Sequence, residues 1–466
     1  MNSRATDIPQ PDLERAPLLS PLGFAMLARL REHPDAPHWN YEVGDRLRGE
    51  DLAALDAFRA DLAARREPYG VTPPPRIIAW LQDVAQTTPF IAGLIQGLDL
   101  DGSLERDWPR VRAVTRRDIA QQPHALVPDH VLGEHHGLDR LIVYDTSGST
   151  GESLDVPHHP RAMAAYLPLM ELALARYGVT LDLGPHRVSH VNLSARAACV
   201  TFPAVLTAWN QAGFAKLNLN DSQWKDRDQA RRFLKDLDPQ LVAGDPVSLA
   251  ELMAWDAPVA PRILVTTAAT LEPALKERLA GHFACPVMDW YSTTETGPVA
   301  YACRLGHGFH VLAHDVFVEA VDEHGDPAKG LGDLAVTGGR NPFLPLVRYS
   351  TGDRGRMDFS PCPCGDPMPR ILDLSARRQV MFRAASGSLV NQADVAMALR
   401  EILHARHRLV QRADNSLELT LKPVPNWPIP MDQVRRKLAE LFGDLPIRVA
   451  ADPAMADKGL PYVREG

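Results

Sequence analysis

The sequence predicts an α/β protein in two parts. A large N-terminal domain carries mostly parallel sheets flanked by helices plus a strand-rich subdomain, and a small, mobile α+β C-terminal domain follows it. Three observations predict this. Residues 141–300 alternate short apolar runs with helical patterns, the mark of parallel strands joined by crossover helices. Residues 301–375 turn strand-rich. Residues 376–466 change again, to strands and helices in turn.

Taken in order, residues 1–140 read as helical. Leu52, Leu55, Phe58 and Leu62 fall at helical spacing, and Ile77 to Leu98 reads as a helix broken near Pro89. Strands are expected at Leu141–Tyr144, Arg187–Leu193, Lys216–Leu219, Leu241–Gly244, Ile263–Thr267 and Val287–Tyr291. Helices between them are expected at Arg161–Tyr177, Thr201–Gly213, Arg227–Leu237, Pro246–Trp255 and Leu271–Phe283. Val316–Val321, Leu334–Thr337 and Leu346–Tyr349 read as strands of the next region. The last part reads as strand Gln379–Arg383, helix Ala393–His404, strands Arg408–Gln411 and Leu417–Leu421, helix Met431–Phe442 and strand Pro446–Val449. The large domain is therefore placed at 1–375 and the small one at 376–466.

Composition narrows the function. The 466 residues are 45% apolar and 23% charged, enough to bury large cores. A net charge of −8 with no long basic run argues against nucleic acid. No apolar stretch reaches the ~18 residues of a membrane span, and the acidic, proline-rich start lacks an apolar signal segment. Five cysteines do not make a disulfide scaffold. The expectation is a reduced, cytoplasmic enzyme, monomeric or homodimeric, with no membrane or nucleic-acid partner.

Three motifs carry the chemistry. Tyr144-Asp-Thr-Ser-Gly-Ser-Thr-Gly-Glu152 lies between a strand and a helix. Small hydroxyl residues and two glycines let backbone approach a polyphosphate and aim donors at it. It is not a Walker loop, because the lysine and the glycine spacing are missing. Asp289-Trp-Tyr-Ser-Thr-Thr-Glu-Thr-Gly297 and Arg348-Tyr-Ser-Thr-Gly-Asp353 each follow a strand.

In this order and at these distances the three motifs resemble the adenylate-forming superfamily of acyl-CoA synthetases, and most of all its phenylacetate–CoA ligase-like branch. Phe309-His310, Val316-Phe-Val-Glu319 and Cys362-Pro-Cys-Gly365 ahead of Arg370-Ile371 support the likeness. It covers residues 140–380 well and the ends loosely. The resemblance implies an ATP- and Mg²⁺-dependent acid–thiol ligase, with CoA as co-substrate. An aryl or arylacetic carboxylate attacks the α-phosphate of ATP, pyrophosphate leaves, and a thiol then displaces AMP. By the resemblance, Ser147, Gly148, Ser149, Thr150 and Gly151 wrap the β- and γ-phosphates. Asp289, Ser292 and Thr293 belong to the nucleotide site. Tyr291 stacks on adenine, Thr294 bonds the α-phosphate, Glu295 holds Mg²⁺, Asp353 takes the ribose hydroxyls and Arg377 contacts ribose or phosphate. Singly, Tyr291 also reads as a core aromatic, Asp353 as a turn former and Arg377 as a surface charge.

Three places depart from the pattern. Glu152 stands where this branch carries lysine, and a carboxylate there opposes phosphate charge unless it turns away or binds metal. Ala376-Arg-Arg-Gln-Val380 lacks the hinge aspartate. Lys458, in a Gly/Pro loop near the end, is the candidate for the C-terminal catalytic lysine, and equally reads as a solvated tail residue. These departures keep two rivals open: transfer of the acyl group to an amine, hydroxyl or carrier-protein thiol, and an impaired homologue that only binds nucleotide or acid.

Cys303, His310, Cys362 and Cys364 form a soft S₃N set suited to tetrahedral zinc. The Cys-Pro-Cys spacing is tight for zinc, and buried cysteines also serve as small hydrophobes. The resemblance implies a structural metal, with His307 and His314 as rival ligands, and Cys199 and Cys285 read as core. The acid pocket is expected between the parallel sheet and His190–Asn218, where Phe202, Trp209 and Phe214 read either as pocket lining or as core.

Overall fold

The computed structural model describes residues 8–64, 70–129, 140–145, 154–196, 199–375, 380–399, 401–404, 406–424, 427–455 and 461–465. The chain divides into two compact units. The larger takes residues up to 144 with 156–194 and 200–377; the smaller takes 378–466 with the short stretches 145–155 and 195–199. This is the two-domain α/β architecture that the alternation of strands and helices predicts.

The larger unit is organised by one twelve-stranded sheet. In spatial order its strands are Val316–Val321, Gly332–Gly338, Leu346–Asp358, Arg370–Ser375, Phe309–Val311, Gly297–Ala302, Val287–Thr293, Ile263–Thr266, Leu241–Gly244, Val188–Ser194, Ala212–Asn218 and Phe202–Leu206. The run from Val287–Thr293 to Ala212–Asn218 is parallel. From Gly297–Ala302 outward every pairing is antiparallel. Burial explains the parallel half: all four residues of Leu241–Gly244 and of Ile263–Thr266 are buried, as strands covered on both faces must be.

Helices Arg227–Leu237, Pro246–Ala254 and Pro273–Phe283 make the crossovers. Asp226 and Asp245 cap the first two by accepting the backbone N–H of Gln229 and Ser248. Ala230, Phe233, Leu234 and Leu237 recur at i, i+3, i+4 and i+7 and are buried. Burying the Phe233 side chain contributes roughly 1.5–3 kcal/mol. Upstream, the larger unit is helical, with Pro21–Arg31, Gly49–Ala64 and Pro75–Thr87 the longest helices. No helix among the described residues is long and apolar enough to cross a membrane.

Two expectations differ in kind: the glycine motif leads not into a helix but into a strand, Asp155–His158, that shares a two-stranded sheet with Ile142–Asp145, and one predicted helix is a strand. The helix expected at Thr201–Gly213 is instead a strand, Phe202–Leu206, a short 3₁₀ turn at Thr207–Trp209, and the start of strand Ala212–Asn218. Pro203 disfavours a helix interior but is tolerated on the sheet's edge strand. Asn210 and Gln211 both adopt left-handed backbone, with φ of 51° and 59°, and reverse the chain into an antiparallel pair. The apolar spacing alone fitted either structure. The long helix expected at Arg161–Tyr177 is two, Pro160–Ala164 and Tyr166–Arg176.

The smaller unit is α+β. Its four-stranded sheet runs Ile447–Ala451, Leu417–Lys422, Arg406–Gln411 and Tyr462–Arg464, with helices Gln392–Leu399 and Met431–Phe442 and a pair Met381–Arg383/Leu389–Asn391. Val395, Leu399, Val434, Leu438 and Phe442 join the strands in one core. Tyr462–Arg464, pairing parallel to Leu409–Gln411, is too short to carry a periodic signal in the sequence.

Candidate active site

The second motif forms a tight hairpin. Thr293 pairs with Gly297, leaving Thr294, Glu295 and Thr296 as the tip between strands Val287–Thr293 and Gly297–Ala302. Gly297 closes it with φ of 70°, and a Cβ there would stand 2.9 Å from the Tyr166 ring. Thr293 Oγ1 accepts the Thr296 N–H at 3.1 Å and lies 2.9 Å from Thr296 Oγ1. Thr294 is half-buried at this tip.

Glu295 is only 6% exposed, and its Oε1 accepts a hydrogen bond from Arg116 Nη1 at 3.0 Å. Arg340 braces the same hairpin, donating to the carbonyls of Thr296 and Pro298 while paired with Asp315. His158 lies behind it, beside the Thr294 backbone; burial pulls its imidazole down to about 4, so it is neutral. Neither Arg116 nor His158 stands within a motif, so the sequence offered no signal for them.

The strand leading into the hairpin carries the other expected residues. Asp289 accepts the Thr266 hydroxyl at 3.0 Å, and burial, only partly opposed by that bond, pushes its carboxyl up to about 6. Tyr291 packs in the core with Val299, Val311 and Val318. Its hydroxyl donates to Asp353 Oδ2 at 3.0 Å, and burial raises the phenol far above its ordinary range. A register shift follows at Ser292, whose hydroxyl lies 3.4 Å from that of Thr267.

The Tyr291–Asp353 bond brings the second and third motifs together. Arg348, at the start of the third, is 2% exposed and bonded to both carboxylate oxygens of Glu319. It also donates to the carbonyls of Pro109 and Val111, fixing the preceding helical segment to the sheet. Ser147, Gly148, Ser149, Thr150, Gly151 and Glu152 of the glycine loop, Arg377 of the junction and Lys458 lie outside the described residues.

Where the acid was expected, His190 packs on Phe214 with ring centroids 4.9 Å apart, and Phe214 on Phe202 at 5.9 Å. Trp209 is core, 1% exposed, with its indole N–H donated to Glu171 at 2.7 Å.

The candidate metal ligands converge. One ligand atom each from Cys303, His310, Cys362 and Cys364 lies within 4.8 Å of the others. Cys303 Sγ is 3.8 Å from Cys362 Sγ, and Cys364 Sγ is 3.1 Å from His310 Nε2. Cys303 immediately follows the strand Gly297–Ala302 and His310 is the central residue of Phe309–Val311, while Cys362 and Cys364 come from the connection before Arg370–Ser375. Burial opposes ionisation of Cys303, but the backbone N–H groups of His307 and Leu305 and the other two thiols outweigh it, so that thiol is lowered. Burial pushes Cys364 up to about 11. Tight sulfur approach and backbone N–H groups aimed at sulfur fit a thiolate-bound metal. His307 and His314 are not in the cluster. Cys285 is buried, whereas Cys199 is only half-buried.

No family model matches the chain, and no curated protein matches it. Solved structures do. 2-Hydroxyisobutyryl-CoA ligase, in complex with 2-HIB-AMP and CoA in the thioesterification state, aligns with a TM-score of 0.56 at 17% identity, over 88% of this chain and 90% of that one. The same ligase in the postadenylation state with R3-HIB-AMP aligns at 0.51 and 17% identity, over 92% and 97%. The chain therefore shares the fold of that ligase.

Proposed function

We propose that this protein is an AMP-forming acid–thiol ligase. It activates a carboxylate with ATP and passes the acyl group to CoA, with aryl or arylacetic acids as the substrate class and the phenylacetate–CoA ligases as the nearest kind. The observation that carries the reading is the Tyr291–Asp353 bond. On a ligase fold, it joins the two motifs that adenylation requires, across strands that are not neighbours in the sheet.

In the first step a carboxylate oxygen attacks the α-phosphorus and the bond to the β-phosphate oxygen breaks, releasing pyrophosphate. In the second a thiol sulfur attacks the acyl carbon and AMP leaves with the bonding pair. Both steps depend on positioning and on charge neutralisation. Thr294, at the hairpin tip, offers a hydroxyl to the α-phosphate. Asp353, oriented by Tyr291, accepts the ribose hydroxyls. Asp289, Ser292 and Thr293 shape the nucleotide side, with Ser147 to Gly151, Arg377 and Lys458 completing the set. Glu295, whose hard carboxylate suits Mg²⁺, would hold that ion, which would supply positive charge against the phosphates. Zn²⁺ on Cys303, His310, Cys362 and Cys364 is structural, because four ligands leave no open position. The large domain runs over 1–375 and the small one over 376–466, and the enzyme works in the cytoplasm.

Pyrophosphate release across a panel of aryl and arylacetic acids, with and without CoA, tests the reading. Acid-dependent release that falls to background in Glu295→Gln is expected. Glu152 favours the second reading, a nucleotide-binding homologue without turnover; no release with any acid would establish that one instead. Release that does not consume CoA would point to an amine, hydroxyl or carrier-protein acceptor.

A further inference from the structure

We infer that Arg116 is a phosphate-binding residue of this site, held on Glu295 until a divalent cation takes that carboxylate. The inference rests on the ligase reading above and deepens it. Glu295 is almost fully buried, and a buried carboxylate without a partner costs several kcal/mol. Arg116 supplies the partner at 3.0 Å. Arg340, the other guanidinium bracing this hairpin, is committed to Asp315 and to two backbone carbonyls.

Arg116 is not placed for its own helix. It is the first residue of the helix Arg116–Gln121, where the exposed N–H groups repel a cation, and the cap is already made by Thr115 and Asp118. The backbone just before it is anchored: Val114 N–H donates to the Val347 carbonyl at 3.2 Å, and Ser350 N–H to the Val114 carbonyl at 2.9 Å. Arg116 is thereby fixed beside the strand of the third motif while its side chain reaches the second. At 26% side-chain exposure against 6% for Glu295, it is the more solvent-facing member of the pair.

A divalent cation on Glu295 places two cations against one carboxylate. The guanidinium then finds its best partner in phosphate oxygens, which its planar fork can grip in bidentate fashion. Arg116 thus neutralises the empty site and then the polyphosphate.

Calorimetric titration of ATP into wild type, Arg116→Gln, Glu295→Gln and the double variant tests this, in EDTA and at saturating Mg²⁺. In EDTA, Glu295→Gln binds ATP roughly tenfold tighter than wild type because Arg116 is released, and the gain is lost when Arg116→Gln is added. At saturating Mg²⁺, Arg116→Gln binds ATP roughly tenfold more weakly, while less Mg²⁺ is needed for half-maximal binding. Arg116→Lys, with charge but no fork, recovers only part of the affinity. Melting temperatures show which variants are folded, and the lysine variant serves if the glutamine variant is not. An equal gain from Glu295→Gln with and without Arg116 would mean simple relief of repulsion and overturn the inference. So would an unchanged ATP affinity in Arg116→Gln, or a rise in its Mg²⁺ requirement, the sign of an arginine that merely props Glu295. Wild type that binds ATP yet releases no pyrophosphate would sink the ligase reading alone, and these titrations would still decide Arg116. Absence of ATP binding in every form would overturn the inference.

Discussion

Replacing Cys364 with serine is expected to remove one zinc ion per chain and loosen one corner of the larger unit. The geometry sets the expectation. Tetrahedral zinc with Zn–S bonds of about 2.3 Å holds two sulfurs about 3.8 Å apart, and Cys303 and Cys362 lie at 3.8 Å. Zn–N of about 2.0 Å asks for about 3.5 Å between sulfur and imidazole nitrogen, so the Cys364–His310 contact of 3.1 Å opens by about half an ångström on loading. A metal at a thousandfold excess over its dissociation constant stabilises by about 4 kcal/mol. At about 2 cal/mol/K per residue of unfolding entropy, that corresponds to roughly 5 °C in a unit of several hundred residues. Metal analysis and thermal denaturation of wild type and Cys364→Ser read both quantities. Hydrogen exchange should show lost protection at Cys303, Gly306 and Gly365, whose N–H groups close the turns around the ligands. Metal-free wild type, or equal zinc content and stability in the two proteins, would refute the reasoning and return these cysteines to the core.

Four further outcomes are expected. Burial holds Asp289 near 6, above its ordinary 3.8, so the folded form binds the extra proton and stability falls as pH rises between these values. Asp289→Asn should therefore stabilise above pH 6 by on the order of 2 kcal/mol, with the gain fading toward pH 4 in a denaturation series. His407 is buried between His404 and Tyr462, at 2.9 and 2.7 Å, and burial pulls it down to about 3. The unfolded chain takes up that proton first, so the smaller unit should lose about 3 kcal/mol between pH 7 and 4, and His407→Phe should flatten the decline. Arg348→Met strands Glu319 in the core and should cost about 3–5 kcal/mol by denaturant titration, much of it recovered by adding Glu319→Gln. Glu152→Lys should tighten ATP binding by about 5- to 150-fold if the carboxylate faces the phosphates; unchanged affinity means that it faces away.

The sequence by itself determined the class of fold and most of its elements, because those signals are local. The burial period of Arg227–Leu237, its Asp226 cap and the unbroken apolar run of Leu241–Gly244 each stand within a few residues. The cysteine–histidine set was legible for a related reason: few side chains suit zinc, so composition alone narrows the choice, and the fold had only to bring the four together. The sequence failed where two structures share one apolar spacing, at Thr201–Gly213. There the edge position of the strand and the left-handed pair Asn210–Gln211 decided. Tertiary structure alone decided the partners of the motif residues. Arg116 is 179 positions from Glu295, and Tyr291 is 62 from Asp353. Such pairings arise only when the tertiary fold brings elements distant in the chain together, since a carboxylate takes whatever cation or hydroxyl the packing delivers. No periodicity or spacing in the chain records that choice.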